Sequence, residues 1–216
     1  MSKRCFIFGA LPNKNLSLRP DKDDLVIAAD RGVLEAKEHN IKPNLIVGDF
    51  DSLGYVPDDS NVIRLPVSKD ETDVGYAINY AKARGCTEII LYGVLGDRLD
   101  HTLANFQLAN GVAGWGGVCY LFGDDMNAVA FRNATIEFEQ GFGVFSVMSL
   151  SEVSRMVTIK GALYPLDNAV LTNRMPLGVS NEFAEGRAAV SVEDGTLIVM
   201  WQKATAPIIT GVKTSF

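Results

Sequence analysis

The chain is poor in the residues that build zinc or disulfide sites: its 216 residues include three cysteines and two histidines, none clustered at a ligand spacing. Cys5, Cys86 and Cys119 lie too far apart for a CxxC unit and are odd in number. They fit reduced thiols in a cytoplasmic protein, each packed in or near a strand. No run approaches the roughly 18 apolar residues of a transmembrane helix. The opening MSKRCFIFGALPNK sets Lys3 and Arg4 before a short apolar run, but Gly9 and Pro12 break that run and no small-residue cleavage site follows. A first strand is expected there rather than a signal peptide. No GxxxxGK[ST] makes a P-loop, and no GxGxxG follows a strand to make a dinucleotide fingerprint. An excess of positive charge is missing too. With 20 Lys and Arg against 26 Asp and Glu the net charge is -6, which argues against nucleic acid or an anionic membrane as the main partner. An anionic small molecule would need a local basic cluster or a metal.

What is present is ordinary globular composition, 47% hydrophobic and 21% charged, in a chain long enough for one or two domains with a real core. The first half alternates short apolar runs with helical patterns, as parallel α/β units do. Strands are expected over 4–9, 25–29, 44–48, 61–65, 88–93 and 118–123. Helices are expected over 32–40, over 73–84 with Gly85 as the stop, and after His101 with Leu103, Phe106 and Ala109 on one face. Beyond Gly123 short β-rich runs crowd together, and Asp194-Gly195 between two apolar runs predicts a hairpin. The expected fold is an α/β N-terminal domain with a mostly parallel, Rossmann-like sheet (1–125), followed by an all-β sandwich (126–216).

Ligands of an open α/β sheet sit beyond the carboxyl ends of its strands. The second strand ends in ADRG, with Asp30 and Arg31, and the third in GDFDS. The fourth is followed by PVSKDETD, with Lys69, Asp70, Thr72 and Asp73, and the fifth ends in GVLGDRLDH, with Arg98, Asp100 and His101. Four consecutive strand ends carry carboxylates and three add a basic residue. That is the chemistry of a magnesium phosphate site, in which carboxylates hold the cation and Lys and Arg neutralise the remaining phosphate oxygens. If the third strand stays extended through GDFDS, Asp49 and Asp51 share one face and Phe50 takes the other. A simple turn at Gly48 is the competing reading. Thr72 is expected to cap the helix it precedes, Arg98 and Asp100 could pair structurally, and His39 is expected to face solvent.

GDFDS, KDETD and GDRLDH, in that order, together with ADRG, KGALYPL (160–166), GVSNEF (178–183) and Trp201, resemble the thiamine pyrophosphokinases of bacterial type across nearly the full length. The resemblance implies an ATP- and magnesium-binding N-terminal domain, a thiamine-binding β-domain, and a homodimer with sites shared between subunits. It implies Asp49, Asp51 and Asp73 as magnesium ligands, with Asp30 in the same acidic cluster. Arg31, Lys69, Asp70, Thr72, Arg98, Asp100 and His101 would line the phosphate region, Asp100 being the candidate general base with His101 behind it. Ser180, Asn181, Glu182 and Trp201 would hold thiamine, the tryptophan as a flat apolar surface. The implied reaction moves an intact diphosphate from ATP to the thiamine hydroxyl. Two departures stand out: Asp97 occupies a position where the family usually has glycine, and Val179 replaces the usual leucine. The rival readings are a DxD glycosyltransferase, which gives GVSNEF no role, and a non-catalytic thiamine or nucleotide sensor, against which the intact acidic set argues.

Overall fold

The computed structural model describes residues 3–96, 98–184, 186–202 and 208–214, so Asp97 lies outside the described residues. The chain divides into two compact units, one running to Leu108 and adding Cys119–Asp124, the other formed by Ala109–Val118 and everything from Asp125 on.

In the first unit the expected strands form where the apolar runs lie: β1 (Arg4–Phe8), β2 (Leu25–Ala29), β3 (Leu45–Gly48), β4 (Val62–Arg64), β5 (Glu88–Tyr92) and β6 (Val118–Phe122). Their order is β6-β5-β1-β2-β3-β4, and the pairs β5-β1, β1-β2, β2-β3 and β3-β4 are all parallel. Parallel strands are covered on both faces and therefore read as continuous apolar runs; Phe6, Ile7, Phe8, Ile27, Ile89, Ile90 and Leu91 are fully buried. The three free cysteines are buried in this unit, Cys5 on β1, Cys119 on β6 and Cys86 just before β5.

Three helices are present among the described residues, α1 (Gly32–Glu38), α2 (Asp73–Ala83) and α3 (Leu99–Gly114). Thr72 caps α2 as expected, its Oγ1 accepting from the Gly75 N–H at 3.1 Å. The face of α3 is the expected one only at Ala109. Leu103 is exposed, and the buried stripe is Asn105, Ala109, Val112 and Ala113, the i, i+4, i+7, i+8 set that includes one amide. Among the described residues no helix is long and apolar enough to cross a membrane.

The second unit is antiparallel and β-rich. Its strands are β7 (Met126–Arg132), β8 (Ala134–Glu139), β9 (Val144–Ser149), β10 (Val153–Lys160), β11 (Leu166–Thr172), β12 (Gly178–Glu182), β13 (Ala188–Ser191), β14 (Thr196–Gln202) and β15 (Ile208–Thr214). They fall into two arrays, β12-β9-β14-β7 and β11-β10-β13-β8-β15. The hairpin expected at Asp194-Gly195 does not form. Strand β13 pairs with β8 and β10, whereas β14 pairs with β7 and β9, so the turn carries the chain from one array to the other. Glycine is required at 195 (φ +128) because a Cβ there would lie 2.5 Å from Ser154 Oγ.

The long segment between β1 and β2 is tied to the sheet by Arg4, whose Nε donates to Asp24 Oδ1 (3.0 Å) and whose Nη2 reaches Asp24 Oδ2 (2.5 Å) and Asp21 (2.8 Å). Burial raises the Asp24 pKa, but the hydrogen bonds from Arg4 outweigh it and hold the carboxyl below its ordinary value. The stabilisation is therefore present above the unfolded pKa near 3.9 and is lost as pH falls through the lower folded value. Asp24→Asn is expected to cost about 1–2 kcal/mol at pH 7 and to flatten the acid limb of stability below about pH 4, read by urea unfolding across pH. An acid limb as steep as that of the parent would contradict the assignment.

Candidate active site

Beyond the carboxyl ends of β1, β2, β3 and β5 the first unit opens a cavity of about 550 Å³. Its floor is close backbone. A Cβ on Gly9 would lie 2.7 Å from the Gly93 carbonyl oxygen, and one on Gly93 (φ +67) would lie 2.4 Å from the Leu11 carbonyl oxygen, so both positions must stay bare.

The extended continuation expected through GDFDS does not occur. β3 stops at Gly48, Phe50 takes a left-handed conformation (φ +63), and residues 51–54 turn back, with the Gly54 N–H donating to the Phe50 carbonyl at 3.1 Å. A bulky side chain rarely tolerates that φ, and the surrounding packing holds it there. Phe50 is 3% exposed and packs on Ala28 and Ile46, with Val33, Leu53 and Val62 beside it. The ring does face into the protein, and the turn and the acidic site are one feature rather than competing readings. Asp30, itself left-handed (φ +49), joins the pair: carboxylate oxygens of Asp30, Asp49 and Asp51 lie within 4.8 Å of one another.

Two neighbours fix this cluster. Ser52 Oγ donates to Asp30 Oδ2, and the Asp51 N–H donates to Asp49 Oδ1 at 3.2 Å. Lys69 Nζ donates to Asp49 Oδ2 at 2.9 Å and forms an ion pair with Asp73 Oδ1 at 3.0 Å. Asp73, implied as a third ligand by the resemblance, shares Lys69 with Asp49 and lines the same cavity, while the carboxylate grouped directly with Asp49 and Asp51 is Asp30. The hydrogen bond from Lys69 lowers the Asp49 pKa. Burial raises that of Asp73, with Lys69 partly offsetting it. For Lys69, burial works against the ammonium but the hydrogen bonds to Asp49 and Asp73 prevail and raise its pKa.

Three carboxylates this close repel unless a cation lies among them. Asp30 Oδ1 is buried and has no hydrogen-bond partner among the described residues, an acceptor that a hard divalent cation would satisfy. The donor set therefore fits a divalent metal held by carboxylate oxygens.

Asp30, Arg31, Lys69, Thr72, Asp73, Arg98 and His101 all line the cavity, as do Asp49 and Asp51. Asp70 is exposed and Asp100 is exposed, and neither is on the cavity wall. Asp100 is ion-paired with Arg98 at 2.6 Å, which holds its carboxyl down to about 2 and makes it a poor proton acceptor. His39 does not simply face solvent: its Nε2 lies 2.7 Å from the Asn13 carbonyl oxygen and 3.1 Å from Glu35 Oε1. Sequence reasoning missed Leu11, Ser52, Val94 and Asn105. The GALPN run after β1 was the available signal for the first, and Ser52 stood inside GDFDS.

On the second unit, Ser180 (φ +58) and Glu182 are exposed, and Ser180 and Asn181 border a depression of about 270 Å³ with Tyr164, Leu177 and Val179. The Asn181 side chain is committed to backbone. Its Oδ1 accepts from the N–H groups of Tyr164 (3.0 Å) and Glu182 (2.9 Å), and its Nδ2 donates to the Tyr164 carbonyl (2.7 Å). Trp201 is 3% exposed and packs edge-on against Phe138 at 5.7 Å, so within this chain it is a core residue and presents no open face to a ligand.

The chain is similar to known proteins along both units. A family model described as thiamin pyrophosphokinase, catalytic domain, matches residues 18–112, and one described as thiamin pyrophosphokinase, vitamin B1 binding domain, matches residues 133–197. The thiamine pyrophosphokinase of Bacillus subtilis (strain 168) is 28% identical over 190 residues, covering 83% of this chain and 88% of that one. A crystal structure of thiamine pyrophosphokinase from Bacillus subtilis superposes with a TM-score of 0.81 at 25% identity, covering 93% of this chain and 99% of that chain. The thiamin pyrophosphokinase of Candida albicans, at 14% identity and a TM-score of 0.71 over 92% and 89% of the two chains, shares the fold. By the two models of one family, matched in order along its two units, the chain belongs to the thiamin pyrophosphokinase family.

Proposed function

We infer that the protein makes thiamine diphosphate from thiamine and ATP, transferring an intact diphosphate and releasing AMP, with magnesium as the metal. The observation that carries this reading is the grouping of Asp30, Asp49 and Asp51 around the unpartnered Asp30 Oδ1, with Lys69 beside them, inside the region matched by the catalytic-domain model. Magnesium bound at these carboxylates would neutralise charge on the transferred phosphates. The chain's own groups do the rest. Lys69 is held by Asp49 and Asp73 at the rim of the carboxylates, and Arg98 on the cavity wall adds a second cation for phosphate oxygens. Transfer of this kind depends on alignment and charge neutralisation, with little covalent chemistry for the protein to perform. Asp100 serves here as the partner that orients Arg98.

Thiamine is assigned to the Ser180–Glu182 side of the second unit, whose two arrays we read as the faces of a β-sandwich. The phosphate-binding residues all precede residue 102 and the thiamine-side residues follow 179, and the reaction requires the two substrates to touch. A homodimer with shared sites meets that requirement, and the exposed Leu163, Tyr164, Met175, Leu177 and Val179 offer apolar surface for a second copy.

The test is incubation with thiamine, ATP and magnesium. AMP and thiamine diphosphate are expected in equal amounts, and chelation by EDTA should abolish both. Ligand binding without turnover would instead support a sensor. Asn181→Ala is expected to release the 163–165 segment, raise KM for thiamine about 5- to 10-fold with KM for ATP unchanged, and cost about 1–3 kcal/mol of stability. Parallel changes in both KM values would remove Asn181 from the thiamine side.

A further inference from the structure

The cavity has two ends of different chemistry. Strand order places β1 between β2 and β5, so the chain reverses its direction of winding there, the position at which open α/β sheets bind nucleotides. Carboxylates and Lys69 stand at the β2 and β3 ends. The β5 end, two strand spacings (roughly 10 Å) from β2 and three (roughly 14 Å) from β3, brings Leu11, Val94 and Ala104 to the cavity wall, with Arg98 and His101 lining it beside them. These separations are about the reach of an extended nucleoside triphosphate. With phosphates at the acidic end, the flat base comes to rest at the apolar one.

Asn105 sits at this apolar end. It is the polar member of the buried stripe of α3 and is 7% exposed. Its Nδ2 donates to the Val94 carbonyl oxygen at 2.8 Å, which fixes the nitrogen end of the amide against the end of β5. The Oδ1 end takes no donor among the described residues, although the residue lines the cavity. This cavity-lining residue therefore keeps an acceptor available to a donor from a ligand. With one Nδ2–H on Val94, the amide still offers an acceptor and a second N–H. That pair matches the 6-amino group and N7 of adenine, whereas a 6-oxo purine would set acceptor against acceptor.

We propose that Asn105 is a specificity-determining residue that reads the 6-amino edge of the purine in the phosphate donor and so selects ATP over 6-oxo purine nucleotides. The proposal rests on the ATP reading above, and its test does not need turnover. The protein is titrated calorimetrically with ATP and with inosine triphosphate in magnesium, without thiamine. ATP is expected to bind roughly 5- to 150-fold more tightly, the range of one bidentate amide–base pair. Asn105→Ala should bring ATP to the affinity of inosine triphosphate and leave the latter within about twofold. Equal affinities in the parent protein, or a preference for ATP that survives in Asn105→Ala, would overturn the proposal. Should that variant not fold, 7-deaza-ATP on the parent protein decides: several-fold weaker binding than ATP supports the N7 contact, and equal binding overturns it. Thiamine diphosphate formation is read separately. Discrimination between nucleotides without product would leave Asn105 in place and remove the diphosphate-transfer reading. Turnover with equal use of both nucleotides would do the reverse.

Discussion

Asp49→Asn is expected to lower turnover by about 10³-fold or more, a loss of roughly 4 kcal/mol of transition-state stabilisation, while the protein remains folded. The asparagine keeps the shape of the side chain but removes one of the three charges that hold the cation, and it releases Lys69 to Asp73 alone. Asp49 is partly exposed beyond the end of β3, so the fold does not depend on its charge. Asp51→Asn should behave similarly. Asp70→Asn, one residue from Lys69 but off the cavity wall, should change turnover by less than about twofold and serves as the control. Turnover by Asp49→Asn close to that of the parent at saturating magnesium would remove Asp49 from the metal.

Phe50→Ala is expected to damage stability and activity together. Truncating a ring that is 3% exposed and packed on Ala28 and Ile46 should cost about 3–5 kcal/mol. The same ring holds the left-handed turn that brings Asp49 and Asp51 together, so turnover per folded molecule should fall as well. Phe50→Gly separates the two contributions. In an ordinary buried position glycine is less stable than alanine by about 0.5–1 kcal/mol, but at φ +63 that order should reverse, because alanine keeps the strain of a left-handed residue and glycine does not. Denaturant unfolding of the two variants reads the difference. Glycine below alanine by the usual margin would mean that residue 50 is not held at positive φ.

The parallel sheet was legible because strands covered on both faces must be apolar throughout, and the runs at β1, β2, β3 and β5 have no other explanation. The acidic strand ends were legible for a related reason: loops carry no packing demand for four successive carboxylate clusters. What the sequence concealed was local backbone geometry. Nothing in the letters GDFDS says that Phe50 turns left-handed, since phenylalanine disfavours that region and core packing overrides the preference. Asp194-Gly195 announced a reversal correctly but could not say whether the next strand pairs with the last or crosses to the other array. Trp201 and Asn181 carry ligand-type chemistry in their letters, yet one spends its ring on Phe138 and the other its amide on Tyr164. Asn105 was hidden by the opposite effect: an amide inside a helix reads as surface, and only the burial of that face of α3 exposes it as a site residue.

The most direct test of the central claim follows the phosphorus atoms. With ATP labelled separately at the β- and γ-phosphates, and with thiamine and magnesium present, both labels should appear in thiamine diphosphate, and AMP should be released unlabelled in equal amount. Release of ADP with thiamine monophosphate carrying only the γ label, or label left entirely in nucleotide, would contradict it.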